Sequence, residues 1–137
     1  MKKILLSFTI IFSTMFTSVS FAEWTKVFKN GSGVEFFVDF DTIRYNDEFV
    51  YSWQLVNYLE PLEKERIDFW NVPFDPLSWK TYYKYDCKSF GLQDLSHTFY
   101  QLPYGEGVGI TIPINSKNWD YPQPGSRHIN IMKSICK

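Results

Sequence analysis

The two cysteines are the residues of this sequence with the clearest potential for chemistry. Cys87 lies in the stretch KYDCKSF, and Cys136 lies in SICK at the C-terminal end. A nucleophilic thiolate needs a nearby base, and a zinc ion needs three or four Cys or His ligands. The two histidines, His97 and His128, have no partner at a spacing that indicates either site. In an exported protein such a pair predicts a disulfide, worth about 4 kcal/mol in the chain-entropy model.

Other short motifs carry polar groups but lack the partners that catalysis requires. Asp39 and Asp41 could hold a hard cation with further oxygen ligands, or they could end a strand and cap a turn, which is the reading that we favour. Ser126 beside His128 has no orienting acid and no oxyanion hole. The glycines of 105–109 are not followed by the Lys-Ser or Lys-Thr of a phosphate loop. We therefore predict no enzyme activity, no metal and no cofactor.

The N-terminal segment 1–22 has the pattern of a secretory signal peptide. Lys2 and Lys3 precede an apolar run, and small residues stand where a signal peptidase reads, before Glu23. The alternative is an uncleaved membrane anchor, but the run is interrupted by Ser and Thr and is short for a spanning helix of about 20 residues. No cysteine lies near the cleavage site, so we expect an exported protein that is not a lipoprotein, with residues 23–137 as its single domain and no stable membrane insertion.

Composition narrows the class of partner. Loss of the two N-terminal lysines changes the net charge from −1 to −3. Binding to a nucleic-acid backbone needs clustered Lys and Arg, so we expect no nucleic-acid partner. Aromatic residues make up 20% of the chain, which favours pleated, half-buried β structure.

Alternating polar and apolar residues predict a series of antiparallel strands. WTKVFK and VEFFVDF flank the turn signal KNGSG and should form a hairpin. Further strands are predicted at FVYSWQLVNY, KTYYKYDC, SHTFYQL and GVGITIP, with PYGEG as a turn between the last two. In KTYYKYDC, the alternation points Tyr83, Tyr85 and Cys87 toward the core. Lys80 and Lys84 then point to the other face.

The C-terminal stretch changes to a helical period. Ser126 can cap a helix. On this helix the apolar side chains would form one arc, which consists of Ile129, Ile131, Met132, Ile135 and Cys136. Because an 11-residue helix is marginal by itself, it must pack against the sheet. The predicted fold is α+β, an antiparallel sheet closed by one C-terminal helix that the disulfide ties to a sheet face.

The irregular connection 59–77 is the candidate binding segment. It contains residue types that dominate interface hot spots, namely Arg66, Phe69, Trp70 and Phe74. Exposed, these side chains would form a site for a protein partner. The alternative is that the rings fold back and cap the core of the sheet. Long connections without regular structure are usually functional or disordered.

A set of short landmarks runs in order along nearly the whole chain after the predicted signal peptide. The landmarks are Trp24, Val27, FFVDFDTIR, YSWQL, Pro61, Ser78, YDC at 85–87, Gly107, Trp119, PGS at 124–126, and Cys136 with Lys137. In their order and spacing they resemble the surface-adhesin protein E family of Gram-negative bacteria. The resemblance implies a sheet of about six strands with a C-terminal helix held on its concave face by one disulfide. It also implies a non-enzymatic binding protein that recognises a protein partner such as a host extracellular-matrix glycoprotein and that can form a homodimer.

A second functional hypothesis follows from the predicted export and the acidic balance of the chain. A small acidic β domain in the periplasm could inhibit a basic enzyme, as bacterial lysozyme inhibitors do, or serve as a stress-related module. The surface-adhesin hypothesis places the protein at the cell surface, and the inhibitor hypothesis places it in the periplasm.

Overall fold

The computed structural model describes residues 23–61 and 71–136. Outside these ranges lie the predicted signal peptide and three of the candidate binding residues, Arg66, Phe69 and Trp70. The structure therefore does not test those predictions. Within the described ranges, no helix is both long and apolar enough to cross a membrane.

One antiparallel sheet of seven strands forms the body of the described structure. Its strands are β1 (Thr25–Lys29), β2 (Glu35–Val38), β3 (Arg44–Asn46), β4 (Phe49–Asn57), β5 (Ser78–Asp86), β6 (Gly91–Tyr100) and β7 (Gly109–Pro113). One helix, α1 (Arg127–Ile135), follows. The predicted α+β class and antiparallel sheet are confirmed, with seven strands where the resemblance implied about six.

The strand β3 accounts for the difference in number. The sheet order is β1-β2-β4-β5-β6-β7, and β3 pairs with β4 outside this path. β2 pairs with the C-terminal half of β4, and β3 pairs with its N-terminal half. A short 3-10 turn at Phe40–Thr42 separates the two strands, so both lie along one edge of β4.

The side chain of Asp39 stabilises this 3-10 turn. Its Oδ1 accepts a hydrogen bond from the Asp41 backbone N–H at 3.1 Å, and its Oδ2 accepts one from the Thr42 hydroxyl at 2.9 Å. Asp39 is 1% exposed. The strand does end and a turn does begin at these residues, and the carboxylate that caps the turn is that of Asp39.

Helix α1 closes one face of the sheet. Ser126 caps its first turn by accepting a hydrogen bond from the Ile129 backbone N–H at 3.4 Å. The buried side chains of the helix are those of Ile129, Ile131, Met132 and Ile135. They pack on a cluster of sheet residues that includes Val38, Val50, Tyr83, Tyr85 and Leu92. The predicted apolar arc is therefore the contact surface of the helix.

The disulfide joins the end of β5 to the end of α1. Cys87 and Cys136 are bonded, with their Cα atoms 5.6 Å apart. Both cysteines are partly buried against the core. The Tyr45 hydroxyl donates a hydrogen bond to the Ile135 carbonyl at 3.0 Å, which gives the last helical turn a second attachment. The predicted disulfide to the helix is confirmed.

Protonation of His128 is expected to destabilise the fold below pH 6.5. Burial, with the adjacent Arg127 guanidinium, lowers the pKa of His128 from its ordinary 6.5 to about 4. Because the folded pKa is lower than the unfolded pKa, His128 contributes stability that is fully present above pH 6.5 and is lost as the pH falls toward 4. A pKa difference of this size corresponds to a loss of about 3 kcal/mol.

Urea unfolding at pH 7.0 and pH 4.5 measures this effect. His128→Gln keeps a hydrogen-bond acceptor for the Arg127 Nη2, which lies 3.0 Å from the His128 Nε2. It cannot titrate, so the difference in unfolding free energy between the two pH values should shrink by about 2 kcal/mol or more relative to the parent protein. An unchanged difference would show that other groups dominate the acid sensitivity.

Candidate binding face and cleft

The register of β4 with β5 decides which side chains face the helix. Val50 is paired with Tyr85 and Ser52 with Tyr83, and all four side chains are buried on the face of the sheet that α1 covers. Neighbouring residues in a strand point to opposite faces. The alternate residues of β4, beginning with Phe49, therefore lie on the face away from the helix.

This second face carries aromatic and basic side chains together. We call it the basic aromatic face and define it as Arg44, Phe49, Tyr51, Trp53, Lys80, Tyr82, Lys84 and Trp119. All are half-buried except Arg44, which is exposed. Arg44 is paired with Tyr51 in the β3–β4 register, which places it on the same face.

Ring contacts hold the centre of this face. The Trp53 and Tyr82 ring centroids lie 4.6 Å apart, and those of Tyr51 and Tyr82 lie 6.1 Å apart in a stacked arrangement. The Lys80 ammonium lies 4.5 Å from the Trp53 ring centroid. Such contacts contribute about 0.5–1 kcal/mol each at exposed sites, so they order the side chains before a ligand arrives.

Lys84 makes the same kind of contact with aromatic rings at the other end of the face, as Lys80 does with Trp53. Its ammonium lies 4.1 Å from the Phe49 ring centroid and 5.6 Å from that of Trp119. Within 23–61 and 71–136, ion pairs join Lys26 to Glu35 and Lys88 to Glu48, and His97 contacts Asp94. None of these contacts involves Lys80 or Lys84. Both ammonium groups thus meet ring faces and no described carboxylate.

One carboxylate does lie on this face, at its end. Asp86 follows the same alternation as Lys84, but its Oδ1 accepts hydrogen bonds from the backbone N–H groups of Lys88 and Ser89 at 2.9 and 3.4 Å. These bonds lower the pKa of Asp86 below its ordinary value. The carboxylate closes the turn that precedes β6, and the middle of the face stays basic.

A cleft of about 690 Å³ opens at the Lys84 end. It is lined by Phe49, Tyr51, Lys84, Gln93, Leu95, Ile114, Asn115, Ser116, Lys117 and Trp119. This volume lies within the range of small-ligand sites, roughly 300–1,000 Å³. The floor is aromatic sheet, and the wall is the polar segment 114–119.

Hydrogen bonds from β6 fix this wall. The Gln93 Nε2 donates to the Lys117 carbonyl at 2.6 Å, and the Ile114 backbone N–H donates to the Leu95 carbonyl at 3.0 Å. Asp120 and Leu92 exchange two backbone hydrogen bonds of 2.9 Å each. The cleft is therefore part of the folded sheet, with its wall attached at three points.

The absence of a side chain at Gly91 allows Trp119 to pack against the floor of the cleft. A Cβ atom at Gly91 would lie 3.1 Å from the Trp119 Cε3 and 3.0 Å from the Tyr121 Cε1. Without that atom, the indole packs closely over the strand and stacks on Phe49, with centroids 5.8 Å apart and planes at 22°.

A β-bulge in β6 brings together residues that sequence spacing had separated. Tyr82 is paired with Ser96 and Tyr83 with Asp94, so Leu95 is the extra residue. As a result Asp94 and His97 face the same side, with His97 Nε2 3.4 Å from Asp94 Oδ2. Sequence spacing did not indicate this contact between His97 and Asp94, because a bulge shifts the alternation by one residue.

Asp94, His97 and Thr81 have the residue types of a catalytic triad, but the Thr81 hydroxyl is not accessible to a substrate. His97 Nδ1 lies 2.8 Å from the Thr81 hydroxyl, which is 1% exposed. Burial lowers the pKa of His97, and burial with nearby Asp120 raises the pKa of Asp94, so both shifts disfavour the charged forms. A hydroxyl this deeply buried cannot reach a substrate, and the contacts serve the packing of β5 on β6.

The remaining predicted site residues are distributed as follows. Phe74 is half-buried, and it is the only one of the four candidate binding residues that the structure describes. Ser126 is committed to the helix cap. Among the described residues, no group of three or more His, Cys, Asp or Glu could hold a metal ion.

Sequence reasoning missed the basic aromatic face because its two halves lie on different strands. The alternation in KTYYKYDC placed Lys80 and Lys84 on one face of β5, and the same alternation in FVYSWQLVNY puts Phe49, Tyr51 and Trp53 on one face of β4. Only the register, in which Tyr51 is paired with Lys84, shows that these are the same face.

Comparison with known proteins agrees with this fold. A crystal form of Haemophilus influenzae protein E matches with a TM-score of 0.62 at 18% identity, covering 82% of this chain and 86% of that one. Protein E from non-typeable Haemophilus influenzae matches with a TM-score of 0.63 at 18% identity, covering 87% of this chain and 78% of that one.

Comparisons by sequence give one family. No curated protein matches the chain at the significance threshold applied. The family model described as Surface-adhesin protein E matches residues 24–137, which is most of the chain. This chain belongs to the surface-adhesin protein E family.

Proposed function

We propose that this protein is an exported, non-enzymatic binding protein that recognises a host extracellular-matrix glycoprotein through its basic aromatic face. The observation that carries the proposal is the pair of lysines, Lys80 and Lys84, held over aromatic rings with no described carboxylate partner. Binding hot spots are enriched in Trp, Tyr and Arg, and Trp53, Tyr51 and Arg44 lie on this face beside the lysines. Membership of the surface-adhesin family supports the same class of function.

The charge of this face favours the binding role over the inhibitor role. An inhibitor of a basic enzyme would present carboxylates, because electrostatic steering requires opposite charge. The basic aromatic face presents Arg44, Lys80 and Lys84 instead. A partner with acidic groups would be electrostatically complementary to this surface, and a partner of that kind is the one that we propose.

Charge reversal on the face should weaken capture of the partner. Lys80→Glu with Lys84→Glu replaces attraction by repulsion and removes both cation–π contacts, so we expect affinity for the recognised matrix glycoprotein to fall at least about tenfold. The measurement is surface plasmon resonance over a panel of purified matrix glycoproteins. The effect should diminish at high salt.

The matched control carries the same change of charge elsewhere. Lys29 and Lys133 are exposed, and neither belongs to the basic aromatic face. The Lys29→Glu/Lys133→Glu variant should bind within about twofold of the parent protein if location matters. Equal losses in the two double variants would show that net charge alone governs binding and would remove the face from the proposal.

The loop residues Arg66, Phe69, Trp70 and Phe74 are the second proposed contact. Arg66→Glu with Trp70→Ala should weaken capture of the partner about tenfold or more while leaving the thermal midpoint unchanged, because hot-spot side chains contribute to binding and not to the core. Differential scanning fluorimetry accompanies the binding measurement. A large fall in the midpoint would show that the loop packs on the sheet.

The proposed location is tested on cells. Protease or antibody access on intact cells supports surface exposure, where host matrix can be reached. Protection until the outer membrane is permeabilised would place the protein in the periplasm and would contradict a role in binding matrix.

A further inference from the structure

The cleft at the Lys84 end has the composition of a sugar-binding site. Phe49, Tyr51 and Trp119 line it, and the Phe49 ring is itself in contact with Trp119 and with the Lys84 ammonium. A pyranose ring has one face of C–H groups, which carry partial positive charge and pack on the negative face of an aromatic ring. An open aromatic floor fits such a flat, repeating unit.

The polar wall supplies the second requirement. Asn115 and Ser116 line the cleft beside the aromatic floor. Amide and hydroxyl groups can both donate and accept hydrogen bonds, which matches the hydroxyl edge of a sugar. Together with Lys117, these two residues form the polar middle of the wall, which lies between Ile114 and Trp119 and is anchored to β6 through Gln93.

The lysines of the cleft favour a sugar that carries negative charge. Lys84 and Lys117 both line the cleft, and neither pairs with a carboxylate in the part of the chain that the structure describes. Rings on two sides restrict the Lys84 ammonium, at 4.1 Å and 5.6 Å from the Phe49 and Trp119 centroids. A carboxylate can accept hydrogen bonds from such ammonium groups, which donate three each.

The number of cations favours a ligand of low charge density. Neutralising a nucleic acid takes one cationic side chain for each contacted phosphate. A densely sulfated glycan makes a comparable demand. The cleft has two lysines, with Arg44 nearby on the same face. A glycan with one carboxylate in each disaccharide, separated by neutral rings that can stack, matches this spacing of charge and aromatic surface.

We propose that this cleft binds an extended uronate-containing glycan chain, with its rings on Tyr51 and Trp119 and its carboxylates on Lys84 and Lys117. The inference rests on the proposed function, since it names a carbohydrate of the matrix, a uronate-containing chain, that one end of the basic aromatic face would take beside the glycoprotein.

Isothermal titration calorimetry of the full exported chain with a hyaluronan octasaccharide tests the proposal. We expect saturable binding at low salt that weakens at least about tenfold when the carboxyl groups of the octasaccharide are reduced to alcohols. Lys84→Gln/Lys117→Gln and Tyr51→Ala should each lower affinity by a similar factor. Lys29→Gln/Lys133→Gln should bind as the parent protein does, and thermal unfolding verifies that each variant is folded.

Several results would overturn the inference. Equal affinity for the carboxyl-reduced chain would exclude recognition of the uronate. Tighter binding of a dextran sulfate fragment of similar length, which carries sulfates and no uronate, would assign the cleft to sulfate-rich glycans. Tighter binding of an eight-nucleotide oligothymidine would assign it to single-stranded nucleic acid. Absence of hyaluronan binding would refute the glycan while leaving the proposed function intact if Lys80→Glu/Lys84→Glu still loses matrix-glycoprotein capture.

Discussion

Replacing both Cys87 and Cys136 by serine is expected to lower the free energy of unfolding by about 4 kcal/mol. The bond closes a loop of 49 residues in sequence separation, and its absence enlarges the conformational freedom of the unfolded chain. At the size of this domain, such a loss corresponds to a fall in thermal midpoint of roughly 15 °C. The measurement is calorimetric unfolding of the two proteins under oxidising conditions.

A reducing agent provides the internal control for this prediction. It should lower the midpoint of the parent protein to near that of the Cys87→Ser/Cys136→Ser variant and leave the variant unchanged. The result would be contradicted by a variant within a few degrees of the parent, which would mean that the apolar arc of α1 and the Tyr45 hydrogen bond alone hold the helix.

Met132→Ala is expected to cost about 3 kcal/mol of stability. The Met132 side chain is 0% exposed and packs in the cluster that joins α1 to the sheet. Truncation removes buried apolar surface and leaves a cavity that the surrounding strands can fill only in part. Chemical unfolding in urea measures the loss as a lower midpoint with an unchanged slope.

The next residue along the helix is the matched control. Lys133 is exposed, so Lys133→Ala should change the free energy of unfolding by no more than about 0.5 kcal/mol. Because the basic aromatic face lies on the other side of the sheet, the folded fraction of Met132→Ala should keep its ligand affinity. A cost below about 1 kcal/mol for Met132→Ala would show that the helix packs only loosely on the sheet.

The two faces of the sheet therefore have separate roles in these predictions. The face under α1 carries the core and the disulfide and determines stability. The basic aromatic face carries solvent-accessible rings and lysines, and we assign it the binding function. Variants on the first face should change unfolding, and variants such as Lys84→Gln on the second should change binding.

The strands that the sequence predicted well are those with regular alternation. The hairpin of β1 and β2, the long strand β4 and the strand β5 were all predicted, because period-2 patterns report a half-buried strand directly. The start of β6 was not, since SHTFYQL begins at Ser96 and the strand begins at Gly91. A glycine and the bulge at Leu95 interrupt the alternation over those five residues.

The sequence alone determined the class of the fold, the helix with its Ser126 cap and the pairing of the two cysteines. These depend on local period, local capping and residue count, and each can be read along one stretch of chain. Which face of β4 the helix covers was decided only by the tertiary structure. Cys87 and Tyr85 point to one side of β5, and the disulfide holds α1 there. The register with β4 then leaves Phe49, Tyr51 and Trp53 beside the lysines on the opposite side. That juxtaposition depends on pairing between distant strands, which no single stretch of sequence encodes.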